Sequence, residues 1–167
     1  MIFATLVLFP ALMAYAAFSD LFTMTISNFV SLALIVIFFV LALALAMPVE
    51  DIELHTAAGA MVLLITFFMF ARGWIGGGDA KLAAATALWF GFDHLADYSL
   101  YAAVLGGVLT LSILVLRRYP LPPVLLGQTW LARLHDKANG VPYGIALAVA
   151  GLVLYPETAI WASAVAR

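Results

Sequence analysis

Two aspartates in this chain, Asp20 and Asp79, stand in surroundings that suit chemistry. Asp20 lies in the stretch 18–28, which holds no base and no other acid, so it has no local ion-pair partner. As a cap for a following helix it is badly placed, because Ser27 and Asn28 stand closer to the next apolar run and cap well. Asp79 closes a run of three glycines, Gly76, Gly77 and Gly78, at the mouth of a short helical stretch. A carboxylate there suits an N-cap and faces the positive end of the helix dipole. Capping does not require three glycines, however. They cost entropy, and they permit positive φ and the close approach of another backbone. Two neighbouring carboxylates do not easily ionise together, and a pair that shares one proton is equipped for peptide hydrolysis. One takes a proton from water while the other protonates the carbonyl oxygen or the leaving amine. The helix dipole favours charge on Asp79, which makes it the expected base.

Whether the two meet depends on the elements that carry them. Of the 167 residues, 66% are apolar and only 10% are charged, and the mean hydropathy is +1.15. A soluble domain has about 25% charged residues, so lipid must be the solvent for much of this surface. The net charge of −2 argues against a nucleic-acid partner. There is no cysteine, which excludes disulfides, thiolate metal sites and a cysteine nucleophile. His55, His94 and His135 do not have zinc spacing, and no metal or organic cofactor is expected.

Apolar runs lie at 2–18, 28–47, 54–71, 98–116 and 142–165, each near the roughly 20 residues of a spanning helix. A sixth helical stretch, 79–92, is shorter. The expected fold is an all-α integral membrane protein of about six transmembrane helices, forming one domain over residues 1–167. No Lys or Arg precedes the first apolar run, so it is read as a span and not as a cleaved leader. The links at 48–55 and 92–97 carry acids without bases, whereas Arg72 and Lys81 fall in the 71–81 link. Arg117, Arg118, Arg133 and Lys137 fall in the 117–141 link. With alternating spans the basic links share one side, which the positive-inside bias makes cytoplasmic. The link near Asp20 falls on that same side, which puts both aspartates at the cytoplasmic face and both termini outside.

Within the 117–141 link, Pro120, Pro122 and Pro123 stop the preceding helix. Leu126, Trp130, Leu131 and Leu134 then fall on one helical face, opposite Gln128, Arg133 and Asp136. This predicts a short helix lying in the membrane interface, either a basic anchor or a landing surface for a substrate. Pro142 suits the first turn of the last helix.

The run Gly76-Gly77-Gly78-Asp79 matches the Gly-x-Gly-Asp motif of intramembrane aspartyl peptidases, and its continuation Ala80-Lys81-Leu82 closely resembles the bacterial prepilin peptidases. The stretch from Asp20 to Asn28 is similar to that family's first-aspartate segment, although Ser27 stands where proline is usual and the segment's basic residues are absent. Pro142-Tyr143-Gly144 resembles a third patch. By size the chain looks like the short CpaA/TadV type that serves Flp (tight-adherence) pili. The resemblance implies an endopeptidase of the bacterial inner membrane that cuts the basic leader of prepilins or pseudopilins just after a glycine, without a cofactor. It implies that Asp20 and Asp79 are the catalytic pair. Gly76, Gly77 and Gly78 would shape the loop, with Lys81, Asn28, Pro142, Tyr143 and Gly144 supporting the site. Larger family members add a cysteine-rich domain and N-methylate the product, and the lack of cysteine leaves methylation outside the expectation.

Two other readings stand beside this one. Boundary aspartates also bind ions in small coupled transporters, and Asp20 and Asp79 would serve as anchor and cap in a non-catalytic membrane component. Lys81 has a plain role as a positive-inside anchor. Asp93, His94 and Asp97 read as a solvated turn on the opposite side from the aspartates.

Overall fold

The computed structural model describes residues 2–122, 124 and 127–165, with side chains from residue 5 onwards. Pro123 and Leu126, which figured in the reading of the long link, lie outside the described residues. The described residues are helical and contain no strand: α1 (Ile2–Thr23), α2 (Asn28–Ala44), α3 (Val49–Ala71), α4 (Gly77–Phe90), α5 (Leu95–Leu116), α6 (Thr129–His135), α7 (Gly144–Leu154) and α8 (Ala159–Val165). Three helices are long and apolar enough to cross a membrane by length and composition, and a bent pair, α7 with α8, makes up to four. α2, at 17 residues, is apolar and shorter.

The centre of the bundle is α4. Every residue from Leu82 to Phe90 is buried, against α2, α3, α5 and α7. Its 14 residues cover about 21 Å, less than a bilayer core, yet most of its surface meets protein and not lipid. The run Ala83-Ala84-Ala85 explains how: small side chains let neighbouring helices approach closely from several sides. At Gly59, α3 comes so near that an added Cβ would lie 3.2 Å from Cβ of Leu88. The outer helices behave in the opposite way. α3 exposes Leu63, Leu64, Ile65, Phe67 and Phe68, and α5 exposes Val104, Val108 and Leu111. A continuous apolar exterior of this kind belongs against lipid.

An aromatic cluster clamps the C-terminal end of α4. Phe9 stacks on Tyr155 at 4.4 Å and tilts against Trp89 at 4.8 Å, while the Trp89 indole N–H donates to the Leu34 carbonyl at 3.1 Å. The Tyr155 hydroxyl reaches the Thr5 carbonyl of α1. The opposite end of α4, where Asp79 lies, is left free for other chemistry.

Three elements differ from the sequence reading. α1 does not stop at residue 18 but runs through Asp20 to Thr23. The hydroxyls around its end make this possible: Thr23 donates to the Ser19 carbonyl at 2.7 Å and Ser19 to the Thr25 carbonyl at 2.8 Å. Backbone groups at the turn are thereby satisfied without ending the helix earlier. The last apolar run is broken by about 49° between α7 and α8. A short 3-10 turn, Tyr155–Glu157, holds Pro156, which lacks the donor a continuous helix needs. Thr158 then accepts from the Trp161 amide at 3.3 Å and starts α8. Finally, Pro142 is not in the first turn of α7; it is buried two residues before Gly144, with Tyr143 as the N-cap.

Candidate functional site

The site lies where the C-terminal end of α1 meets the N-terminal ends of α4 and α7. Asp20 is carried on the last turn and a half of α1 and is 5% exposed. Its Oδ2 accepts the backbone N–H of Gly144 at 2.7 Å, a contact between residues 124 positions apart. Asp79 stands near enough for its charge to act on Asp20. One backbone N–H of α7 therefore holds the acid at the end of α1 beside the acid at the start of α4.

Asp79 occupies the third position of α4, and Gly76, not Asp79, is the N-cap. The carboxylate folds back over Gly76, where an added Cβ would nearly touch it, so it reaches toward the cap as the acid of a capping box does. The capping and pairing readings are thus compatible. Asp79 is half-buried. Burial first, and then the Asp79 charge, hold the nearby Tyr143 phenol above its ordinary value.

The glycines are needed for space and not for unusual backbone angles. None of Gly76, Gly77 or Gly78 has positive φ. An added Cβ at Gly78 would come 3.1 Å from Cβ of Ile26, and at Gly76 it would come 2.9 Å from Oδ2 of Asp79. At Gly144 it would meet Cδ1 of Ile26 at 2.5 Å and Oδ2 of Asp20 at 2.8 Å. Ile26 is therefore wedged between the first turns of α4 and α7. The sequence reading missed it, since nothing about an isoleucine in a polar link marks it as the piece that fits between two glycines.

The remaining predicted residues fall around this centre. Ser27 caps α2 by accepting from the Phe29 amide at 3.2 Å, which frees Asn28. Lys81 donates to the Asn28 side-chain oxygen at 2.8 Å, tying α4 to the start of α2. Both are exposed and border an open, largely apolar cavity of about 670 Å³ between α2, α3 and α4. Lys81 neighbours the carboxylates without pairing with either within 4 Å; the one ion pair among the described residues joins His94 to Glu157. Pro142, Tyr143 and Gly144 form the approach to the amide that Asp20 accepts. The helix α6 packs at the same end, with Trp130 edge-on to Phe22 at 5.5 Å and Arg133 donating to the Phe22 carbonyl at 3.4 Å. Arg117 donates to the carbonyls of Leu134 and Gly140, both at 2.8 Å, and binds the long link into the bundle. Among the described residues no group of three His, Asp or Glu side chains could hold a metal ion.

These features define a multi-pass helical membrane protein that holds two carboxylates together at one end of its bundle. The chain belongs to the type IV leader peptidase family, whose model matches residues 7–111 and so takes in both aspartates and the glycine run. It is similar to a prepilin leader peptidase/N-methyltransferase of Xanthomonas campestris pv. campestris, with 29% identity over 116 residues, 66% of this chain and 34% of the relative. It is also similar to a protein of the same description from Aeromonas salmonicida, with 26% identity over 124 residues, 72% of this chain and 36% of the relative. The chain thus spans about a third of the length of these curated relatives. No solved structure matches it.

Proposed function

We propose that this protein is an aspartic endopeptidase that cuts the leader from prepilins, with Asp20 and Asp79 as its catalytic pair. The observation that carries the reading is the meeting of two carboxylates from helices far apart in sequence, one of them held by the Gly144 amide. A plain cap and a plain anchor have no reason to converge. In this mechanism Asp79 is the base, because it lies in the first turn of α4, at the positive end of the helix. Water attacks the scissile carbonyl carbon and gives its proton to Asp79, while Asp20 passes its proton to the carbonyl oxygen. The tetrahedral intermediate then collapses: the C–N bond breaks, the leaving amine takes the proton from Asp79, and one hydroxyl of the gem-diol returns its proton to Asp20 as the new carboxyl group forms.

The membership of the family and the descriptions of the relatives support a prepilin leader as substrate. The end that carries the pair also carries Arg72, Lys81, Arg117 and Arg133, and by positive-inside bias we assign it to the cytoplasmic face of the inner membrane. On this reading α2, α4 and the bent α7–α8 pair join the three longer helices in a six-span topology with both termini outside. The resemblance to the CpaA/TadV type narrows the substrates to Flp prepilins. The test is co-expression of a prepilin with wild type, Asp20→Asn or Asp79→Asn, following the mass of the prepilin. Each variant should lose about 10²- to 10⁴-fold in processing while remaining folded in the membrane. Equal processing by all three would overturn the proposal.

A further inference from the structure

α5 carries two adjacent glycines that the structure treats in opposite ways. A Cβ added at Gly107 would meet nothing within 4 Å, and this residue is exposed on the lipid side. A Cβ added at Gly106 would overlap the Tyr143 ring, at its Cζ, Cε2 and hydroxyl oxygen. Gly106 is buried. The Tyr143 hydroxyl donates to the carbonyl of Ala102, one turn earlier on the same helix, at 3.1 Å. The ring thus lies flat across the turn from Ala102 to Gly106, pinned at its tip and occupying the space of a missing side chain. Tyr143 is the N-cap of α7, and the next residue is Gly144, whose N–H is donated to Asp20. One peptide unit separates the ring from that amide, so little slack can absorb a displacement.

We infer that Gly106 is a positioning residue for the site: its lack of a side chain seats the Tyr143 ring, and the ring sets where the Gly144 N–H meets the Asp20 carboxyl beside Asp79. The inference rests on the reading of those aspartates as the catalytic pair. Gly106 touches neither reacting atoms nor carboxylates and acts only through Tyr143. The need for glycine comes from tertiary packing and not from α5 itself, since alanine is the better helix former. An added methyl must drive the ring off α5, because protein interiors hold no spare volume of that size.

The test compares Gly106→Ala, Gly107→Ala, Tyr143→Val and the double variant Gly106→Ala/Tyr143→Val, each as the purified full chain in detergent acting on a membrane prepilin. kcat, KM and the pH profile of kcat are measured, with Asp20→Asn and Asp79→Asn run alongside. Gly106→Ala should lower kcat about 10- to 100-fold, the scale of a misplacement near 1 Å, with KM little changed. Its pH profile should move along the pH axis, because withdrawing the Gly144 N–H removes a donor from the Asp20 carboxyl and so changes where the pair holds its shared proton. A mere loss of folded enzyme would lower the amplitude of the profile and leave its midpoint in place. Gly107→Ala should match wild type. In the Tyr143→Val background the alanine at 106 should change kcat by less than about twofold, since the ring it displaces is gone. The inference is overturned if Gly106→Ala keeps the wild-type kcat and pH profile, or lowers kcat by the same factor with and without the ring. If the aspartate variants also cleave, the catalytic pair falls and the inference with it. If they are dead and Gly106→Ala is normal, only the positioning role falls.

Discussion

Alanine at position 144 would strike the site at its most crowded point. A Cβ built there lies 2.8 Å from Oδ2 of Asp20, 3.2 Å from its Cγ and 2.5 Å from Cδ1 of Ile26. Restoring ordinary contact requires the Asp20 carboxylate to retreat by roughly 0.6 Å, which stretches the 2.7 Å bond to the edge of hydrogen-bonding range. Gly144 has no positive φ, so alanine brings no backbone strain, and its place in the first turn of α7 tolerates any good helix former. The cost therefore falls on the site and not on the fold. Leaving this buried donor without its partner costs roughly 1–3 kcal/mol. At about 1.4 kcal/mol per decade, Gly144→Ala should lower kcat about 10- to 100-fold. The assay is the initial rate of prepilin cleavage by purified enzyme in detergent, read by mass spectrometry of both products, with thermal unfolding as a check on folding. A folded Gly144→Ala enzyme that cleaves within about twofold of wild type would refute the claim that this amide organises the pair.

Other outcomes follow from the same geometry. The pH profile of kcat should fall on both sides of an optimum, because the pair works with one proton shared between Asp20 and Asp79; a profile flat from about pH 4 to about 9 would contradict the pairing. Phe9→Ala should destabilise the bundle by roughly 3–5 kcal/mol, since Phe9 is fully buried against Trp89 and Tyr155; unfolding in detergent measures this. Arg117→Ala should speed hydrogen exchange across the 117–141 link by roughly tenfold, as two charge-assisted bonds to Leu134 and Gly140 are lost. Lys81→Met should cost at most about 1 kcal/mol and leave kcat within about threefold, because its bond to Asn28 is exposed and it pairs with neither aspartate.

What could be read from the sequence was local or compositional. Hydrophobic runs of helical length required lipid as solvent, because so much apolar surface has nowhere else to go. Ser27 was recognisable as a cap for α2, since a hydroxyl just before an apolar run meets orphan amides whatever the tertiary context. The run from Gly76 to Gly78 signalled close approach, and the structure shows what approaches: Ile26, Phe70 and the Asp79 carboxylate itself. Helix ends were less legible. α1 runs through Asp20 to Thr23, with hydroxyls bonding the carbonyls of Ser19 and, just beyond the helix, Thr25, and Pro156 breaks a run whose apolar composition alone suggests continuity.

The two aspartates bear the same division. Sequence alone marked Asp20 as an acid without a local ion-pair partner and Asp79 as the acid that closes a glycine run, and charge bias placed both on one side of the membrane. It could not show that they meet, because that depends on α1, α4 and α7 packing so that residues 20, 79 and 144 converge. Nor could it separate Gly106 from Gly107, identical letters in one helix. Only the fold decides which of them faces Tyr143 and which faces lipid, because helical rotation of one residue turns a side chain by about 100°.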